Sequence, residues 1–159
     1  MTAPRGFLAD TNLVSLTLKH KIGRLKNQRE IDAANWYESL TKGTATILSF
    51  ATVAELTRWI VSRKDQADRE RVAKLVAPCI ESSYRIQSND AIATSWAMIA
   101  QEATARGVMS KPNPLGSQIN DIWIAATAHA SNLTLLTCDA GFGWMASIGV
   151  SVLVYGGER

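Results

Sequence analysis

Cysteine is scarce: Cys79 and Cys138 are the only two in 159 residues, and their separation gives no metal-binding spacing. Two cysteines also make too few bridges for a secreted disulfide scaffold. The expectation is a reducing cytosol, with both thiols acting as small buried apolar side chains. Histidine is equally sparse. Neither His20 nor His129 has a second histidine at ligand spacing, so each reads as a packed or surface residue. No apolar stretch approaches the length needed to cross a bilayer, and the N-terminus lacks the long apolar segment of a signal peptide, so the expectation is a soluble cytoplasmic protein with no membrane partner. Internal repeats and low-complexity tracts are absent. The glycines of "GFGWMASIG", residues 141 to 149, fail the G-x-G-x-x-G spacing of a dinucleotide loop and come too late in the chain for a first βα turn.

What is present suits a single domain over residues 1 to 159, with 47% hydrophobic and 19% charged residues, enough for a sizeable core. Five short β-type runs are expected at Gly6 to Ala9, Ala45 to Phe50, Tyr84 to Gln87, Leu133 to Thr137 and Ser151 to Tyr155. Helical periodicity lies between them. Ala33, Trp36, Tyr37 and Leu40 share one face, and Val53, Leu56 and Ile60 another. A helix capped by Ser88 is expected to bury Ile92, Trp96, Ile99 and Ala103 and to end at Gly107. A loop is expected over "GVMSKPNPLGSQIN", residues 107 to 120, followed by an alanine-rich helix opened by Asp121. Strands alternating with helices predict an α/β fold with a mainly parallel sheet covered on both faces.

Sites in such sheets form beyond the carboxyl ends of strands. Asp10 ends the apolar run Phe7-Leu8-Ala9, Glu55 lies in the first turns of the helix after the Ile47 to Phe50 run, and Asp139 follows the run ending near Thr137. Asp121 joins the same edge if its helix packs beside the central strands. Singly, each acid has an ordinary role: Asp10 and Asp121 as helix caps, Glu55 as a solvated face residue, Asp139 as a turn residue before Gly141. Four carboxylates on one edge would repel one another and need a cation to stay ionised. An oxygen-only donor set suits Mg²⁺ or Mn²⁺ rather than Zn²⁺.

Net charge is +3 and the pI is near 9.0. The stretch "KHKIGRLKNQR", residues 19 to 29, holds five Lys or Arg and no acid. A solvated loop beside a helix end accounts for it, and so does a surface that meets a phosphate backbone. Of the five tryptophans, most suit the core, while Trp36 and Trp59 are candidates to line an apolar groove for a partner helix.

"LADTNLVS", the Glu of "TVAEL", "NDIWIAATAHA" and "LLTCDAGF" resemble, in order and spacing, the acidic motifs of PIN-domain ribonucleases, and most nearly those of VapC-type toxins. The resemblance runs from Phe7 to about Val154. It implies a PIN-like three-layer α/β/α sandwich around a mainly parallel five-stranded sheet. By this resemblance Asp10, Glu55, Asp121 and Asp139 are the acids that hold Mg²⁺ or Mn²⁺, with Asn12 and Thr137 supporting them. Two departures stand out: "AELTRWIVSRK" lacks the usual glycine, and "AGFGW" follows Asp139 where a second acid is common.

The implied function is an Mg/Mn-dependent endoribonuclease, the toxin of a toxin–antitoxin pair, cutting RNA by metal-activated water to leave a 5′-phosphate and a 3′-hydroxyl. It brings with it a cognate antitoxin and a homodimer, and makes Lys19, Lys21, Arg24 and Lys26 candidate RNA contacts. Two alternatives stand beside it. One is a non-catalytic RNA-binding or scaffold module of the same fold. The other is a phosphohydrolase with Asp10 as nucleophile, which ranks last because Asn12 stands where such enzymes place a second Asp. The RNA itself is not legible: every RNA presents the same phosphodiester.

Overall fold

Apolar strands bounded by polar turns assemble into one five-stranded sheet, seen in a computed structural model that describes residues 6–108 and 117–157. The chain runs β1 (Phe7–Ala9), α1 (Thr11–Lys21), α2 (Gln28–Thr41), β2 (Ile47–Ser49), α3 (Phe50–Val61), α4 (Gln66–Ser82), β3 (Tyr84–Ile86), α5 (Asp90–Ala105), α6 (Ser117–Ala130), β4 (Thr134–Thr137), a 3-10 helix (Ala140–Ile148) and β5 (Val152–Val154). The strand order is β3-β2-β1-β4-β5, and every neighbouring pair is parallel. All carboxyl ends therefore share one edge.

The two-residue period of a strand divides the core into two layers. Leu8 and Leu135, which are register partners, face a cluster with Ile92, Ile99 and Ile124 from α5 and α6. Ala9 and Leu136, the next pair, face Leu13 and Leu18 of α1, Leu56 of α3 and Val76 of α4. The result is a three-layer α/β/α sandwich. Each fully buried Leu or Ile in these layers contributes about 1.5–3 kcal/mol.

The expected strands form, each with narrower bounds. Phe50 opens α3 instead of closing β2, because Ser49 turns the chain: its side chain accepts the Thr52 amide at 3.0 Å. The helix implied by Asp10 as a cap forms as α1, and α4 forms where no helix is expected. α4 continues through the exposed Pro78. α5 is capped by Asn89, not Ser88: Asn89 Oδ1 accepts the Ile92 amide at 3.0 Å. Its far end is as expected, with Gly107 at φ +67, a backbone conformation that costs glycine nothing. The expected loop of residues 107 to 120 is shorter than the sequence suggests, since α6 begins at Ser117; residues 109–116 lie outside the described residues. Asp121 consequently does not open α6 but sits in its second turn, with no acid in the first.

Candidate functional site

Asp10 is the first residue past β1 and the N-cap of α1, its amide held by the Leu136 carbonyl at 2.9 Å. Only 1% of it is exposed. Its side chain makes no cap hydrogen bond to α1; instead Oδ2 accepts the Thr137 hydroxyl at 3.0 Å. The same Thr137 oxygen accepts the Asp139 amide at 3.0 Å, tying the ends of β1 and β4 together.

Glu55 projects from α3, half-buried between two donors. Asn120 Nδ2 donates to Oε1 at 2.9 Å, and the Thr11 hydroxyl donates to Oε2. Thr11 also reaches Thr52 Oγ1 at 3.3 Å, so the starts of α1, α3 and α6 meet around this carboxylate. Asp139 Oδ1 accepts the Gly141 amide at 2.7 Å. A Cβ at position 141 would stand 3.0 Å from that oxygen, so the glycine leaves the carboxylate room.

Asp10, Glu55 and Asp121 line one cleft of about 280 Å³, with Arg58, Trp59 and Arg63 on its wall. Asp139 lines a second, of about 550 Å³, with Lys19, Arg29 and Tyr155. Asn12 borders both. The acids feel one another. Burial pushes the Asp10 carboxyl up to about 6, opposed by the Thr137 hydroxyl and reinforced by the charge of Glu55. Burial, then the charges of Asp10, Glu55 and Asp139, push Asp121 up to about 7.

Of the cations suggested by the sequence, Lys19 lines the cleft of Asp139, with its Nζ over the Trp59 ring, 5.6 Å from the ring centre. Arg24 lines a separate groove with Trp59, Arg71 and Leu75. Lys21 faces a crevice beside Tyr37, Thr46 and Cys79, close to where β2 begins and away from the acids. Lys26 is exposed in the connection between α1 and α2. The cations lining the clefts are Arg58 and Arg63 in the first and Lys19 and Arg29 in the second. Arg58 follows Glu55 by three residues, one helical turn, and that spacing is legible in the sequence. Thr11 and Asn120, which hold Glu55, have no comparable signal beyond adjacency to Asp10 and Asp121. Trp36 packs against Tyr155, ring centres 5.5 Å apart and ring planes tilted by 54°.

Whether these residues suit a divalent ion is a question of donors and of pose. The donors are carboxylates without a thiolate or imidazole, the set that suits a hard cation, and their mutual repulsion calls for one. As posed, no three His, Cys, Asp or Glu side chains among the described residues gather closely enough to hold an ion. Glu55 is engaged by Thr11 and Asn120, and Asp139 by Gly141. Each carboxylate oxygen keeps a second lone pair, so these donors can orient the acids while an ion is held.

An all-parallel sheet with acids at the carboxyl ends of its strands is the arrangement of the PIN domain, and residues 8–146 match that family. The chain belongs to the PIN domain family. Its fold is similar to that of a chain in VapBC2 from Rickettsia felis bound to a DNA fragment from their promoter, at 18% identity over 94% of this chain and 98% of that one, with a TM-score of 0.69. It is similar also to a chain of DNA-bound VapBC from Salmonella typhimurium, at 21% identity, 94% and 98% coverage and a TM-score of 0.67. A chain of FitAcB from Neisseria gonorrhoeae aligns at 24% identity, 92% and 96% coverage and a TM-score of 0.59. No curated protein sequence matches the chain. Among the described residues no helix is long and apolar enough to cross a membrane.

Proposed function

We propose that the chain is an Mg²⁺- or Mn²⁺-dependent endoribonuclease and the toxin of a toxin–antitoxin pair. One observation carries the reading: four acids from four separate segments reach one sheet edge, and Asp121 is pushed up to about 7 partly by the charges of the other three. Such a cluster is costly to the fold and suits a site that takes up a cation.

Asp10, Glu55, Asp121 and Asp139 would hold the ion. When bound, it supplies Lewis-acid polarisation of the phosphodiester and makes a water acidic enough to attack. The protein's own part is orientation. Thr137 fixes Asp10 and the Asp139 backbone together, and Thr11 with Asn120 aim Glu55. Arg58, Arg63, Lys19 and Arg29 offset the repulsion between the acids and an incoming polyanion.

The VapBC and FitAcB structures are of two-component assemblies, which supports a cognate antitoxin as partner here. We place the toxin in the cytoplasm as a homodimer. The second reading, an RNA-binding module without turnover, draws on the pose of Glu55 and Asp139, which are engaged by protein donors. Incubation of RNA with the purified chain in Mg²⁺, Mn²⁺ or EDTA separates the two. Cleavage only with a divalent ion supports the nuclease; binding without cleavage in every condition supports the module.

A further inference from the structure

Trp59 stands in an unusual place for a large indole. It lies on α3, four residues beyond Glu55, so the two share a helix face one turn apart. It lines the acidic cleft with Asp10, Glu55 and Asp121, and also the neighbouring groove with Arg24, Arg71 and Leu75. Only half-buried, it has cations beside it as well as the acids of the cleft. Lys19 Nζ lies 5.6 Å from its ring centre, Arg58 precedes it in the cleft, and Arg63 Nε donates to its carbonyl at 3.2 Å.

We propose that Trp59 is the platform on which a nucleobase of the substrate stacks beside the acidic cluster, with Arg58 and Arg63 taking the flanking phosphate. The proposal rests on the reading that the site acts on a nucleic-acid phosphodiester. An aromatic face flanked by guanidinium groups is the combination that holds single-stranded nucleic acid: cations track the backbone, and the ring takes a base whatever its identity. A base paired within an A-form helix keeps its faces covered, so the substrate must present an unstacked nucleotide here. Trp59 is then a positioning residue, setting the phosphate next to that base over the acids.

The test is binding, measured apart from cleavage. A fluorescein-labelled single-stranded oligonucleotide of about eight residues, within the site size of such grooves, is titrated in EDTA by fluorescence anisotropy against wild type, Trp59→Phe and Trp59→Leu. Leucine keeps apolar bulk but offers no π-face, and a melt of each variant checks the fold. The expected result is a loss of roughly tenfold in affinity for Trp59→Leu, near wild-type affinity for Trp59→Phe, and little effect of either on a duplex of the same sequence. Equal affinity of wild type and Trp59→Leu overturns the proposal, and so does an equal loss for Phe and Leu. If the substitutions leave oligonucleotide binding untouched and instead abolish capture of a partner protein, the indole belongs to a protein interface and the proposal fails. Absence of cleavage with Trp59-dependent binding intact refutes the nuclease reading alone.

Discussion

The Thr137 hydroxyl donates to Asp10 Oδ2 at 3.0 Å and accepts the Asp139 amide at the same distance, so one buried side chain joins two acids 129 residues apart in sequence. Thr137→Val keeps the shape and removes both bonds. It leaves the Asp139 N–H without its partner and Asp10 with less compensation for burial. The expected cost is about 1–3 kcal/mol of stability and a fall in any cleavage rate, with Thr137→Ser near wild type. A chemical-denaturation series on the three proteins checks it; equal midpoints for Val and wild type would contradict the role.

Asn120 holds Glu55 through its 2.9 Å bond to Oε1. Asn120→Ala is expected to shift the melting temperature by only a few degrees, as loss of one partly exposed hydrogen bond costs about 1 kcal/mol. Cleavage should fall roughly tenfold, since a misplaced carboxylate weakens the site more than the fold. Steady-state rates beside thermal melts decide the matter, and unchanged rates would show that Thr11 suffices to hold Glu55.

Asp10 and Asp121 make the metal-free fold sensitive to pH. Their folded values, about 6 and about 7, lie above the ordinary 3.8. Between pH 4 and 7 the folded chain therefore holds protons that the unfolded chain has released, and stability falls as pH rises through that window. For Asp10 alone the ionised form costs on the order of 3 kcal/mol. In EDTA the melting temperature is expected to be several degrees higher at pH 5 than at pH 8, and Asp10→Asn should flatten the dependence. Mg²⁺ or Mn²⁺ should raise the melt more at pH 8 than at pH 5, because an ion competes with protons for the same oxygens. A metal-free melt that climbs from pH 5 to pH 8 would contradict the assignment.

Cation placement yields a graded expectation. Lys19→Gln and Arg29→Gln, at the cleft of Asp139, should weaken RNA binding and reduce its salt dependence, each by about one unit of slope. Lys21→Gln, in the crevice beside Tyr37, should change little. Binding titrations at several salt concentrations rank the three, and an equal loss for Lys21 would place the nucleic acid elsewhere.

How far these features can be read from sequence follows from their physics. A buried parallel strand is an apolar run that a polar residue ends, so Phe7-Leu8-Ala9 before Asp10 and Leu135-Leu136 before Thr137 mark both strand and site. α1 is harder to see. Its buried set includes Thr17 beside Leu13, Val14 and Leu18, and its last turn is cationic, so apolar contrast is weak. α4 carries a proline that ordinarily breaks a helix, yet Val72 and Val76 keep its inner face buried while Pro78 stays exposed. Local capping chooses between neighbours: Asn89 and not Ser88 has the geometry to meet Ile92. The links that aim Glu55 span 44 residues to Thr11 and 65 to Asn120, and no local pattern encodes them. Lys19 and Lys21 look equivalent in a charge count, but two positions on a helix point about 200° apart, and only Lys19 faces the acids' side.

The central claim, that the four acids form a cation-dependent phosphodiesterase site, meets its most direct test in RNA cleavage by wild type and Asp10→Asn in Mg²⁺ or Mn²⁺, each beside a melt with and without the ion. Asparagine keeps the shape and can still accept from Thr137, so the fold should survive. The account predicts that the wild type cuts only with the ion and gains thermal stability from it, while Asp10→Asn melts cooperatively, gains much less, and does not cut. A folded Asp10→Asn protein that cuts RNA at the wild-type rate would contradict it.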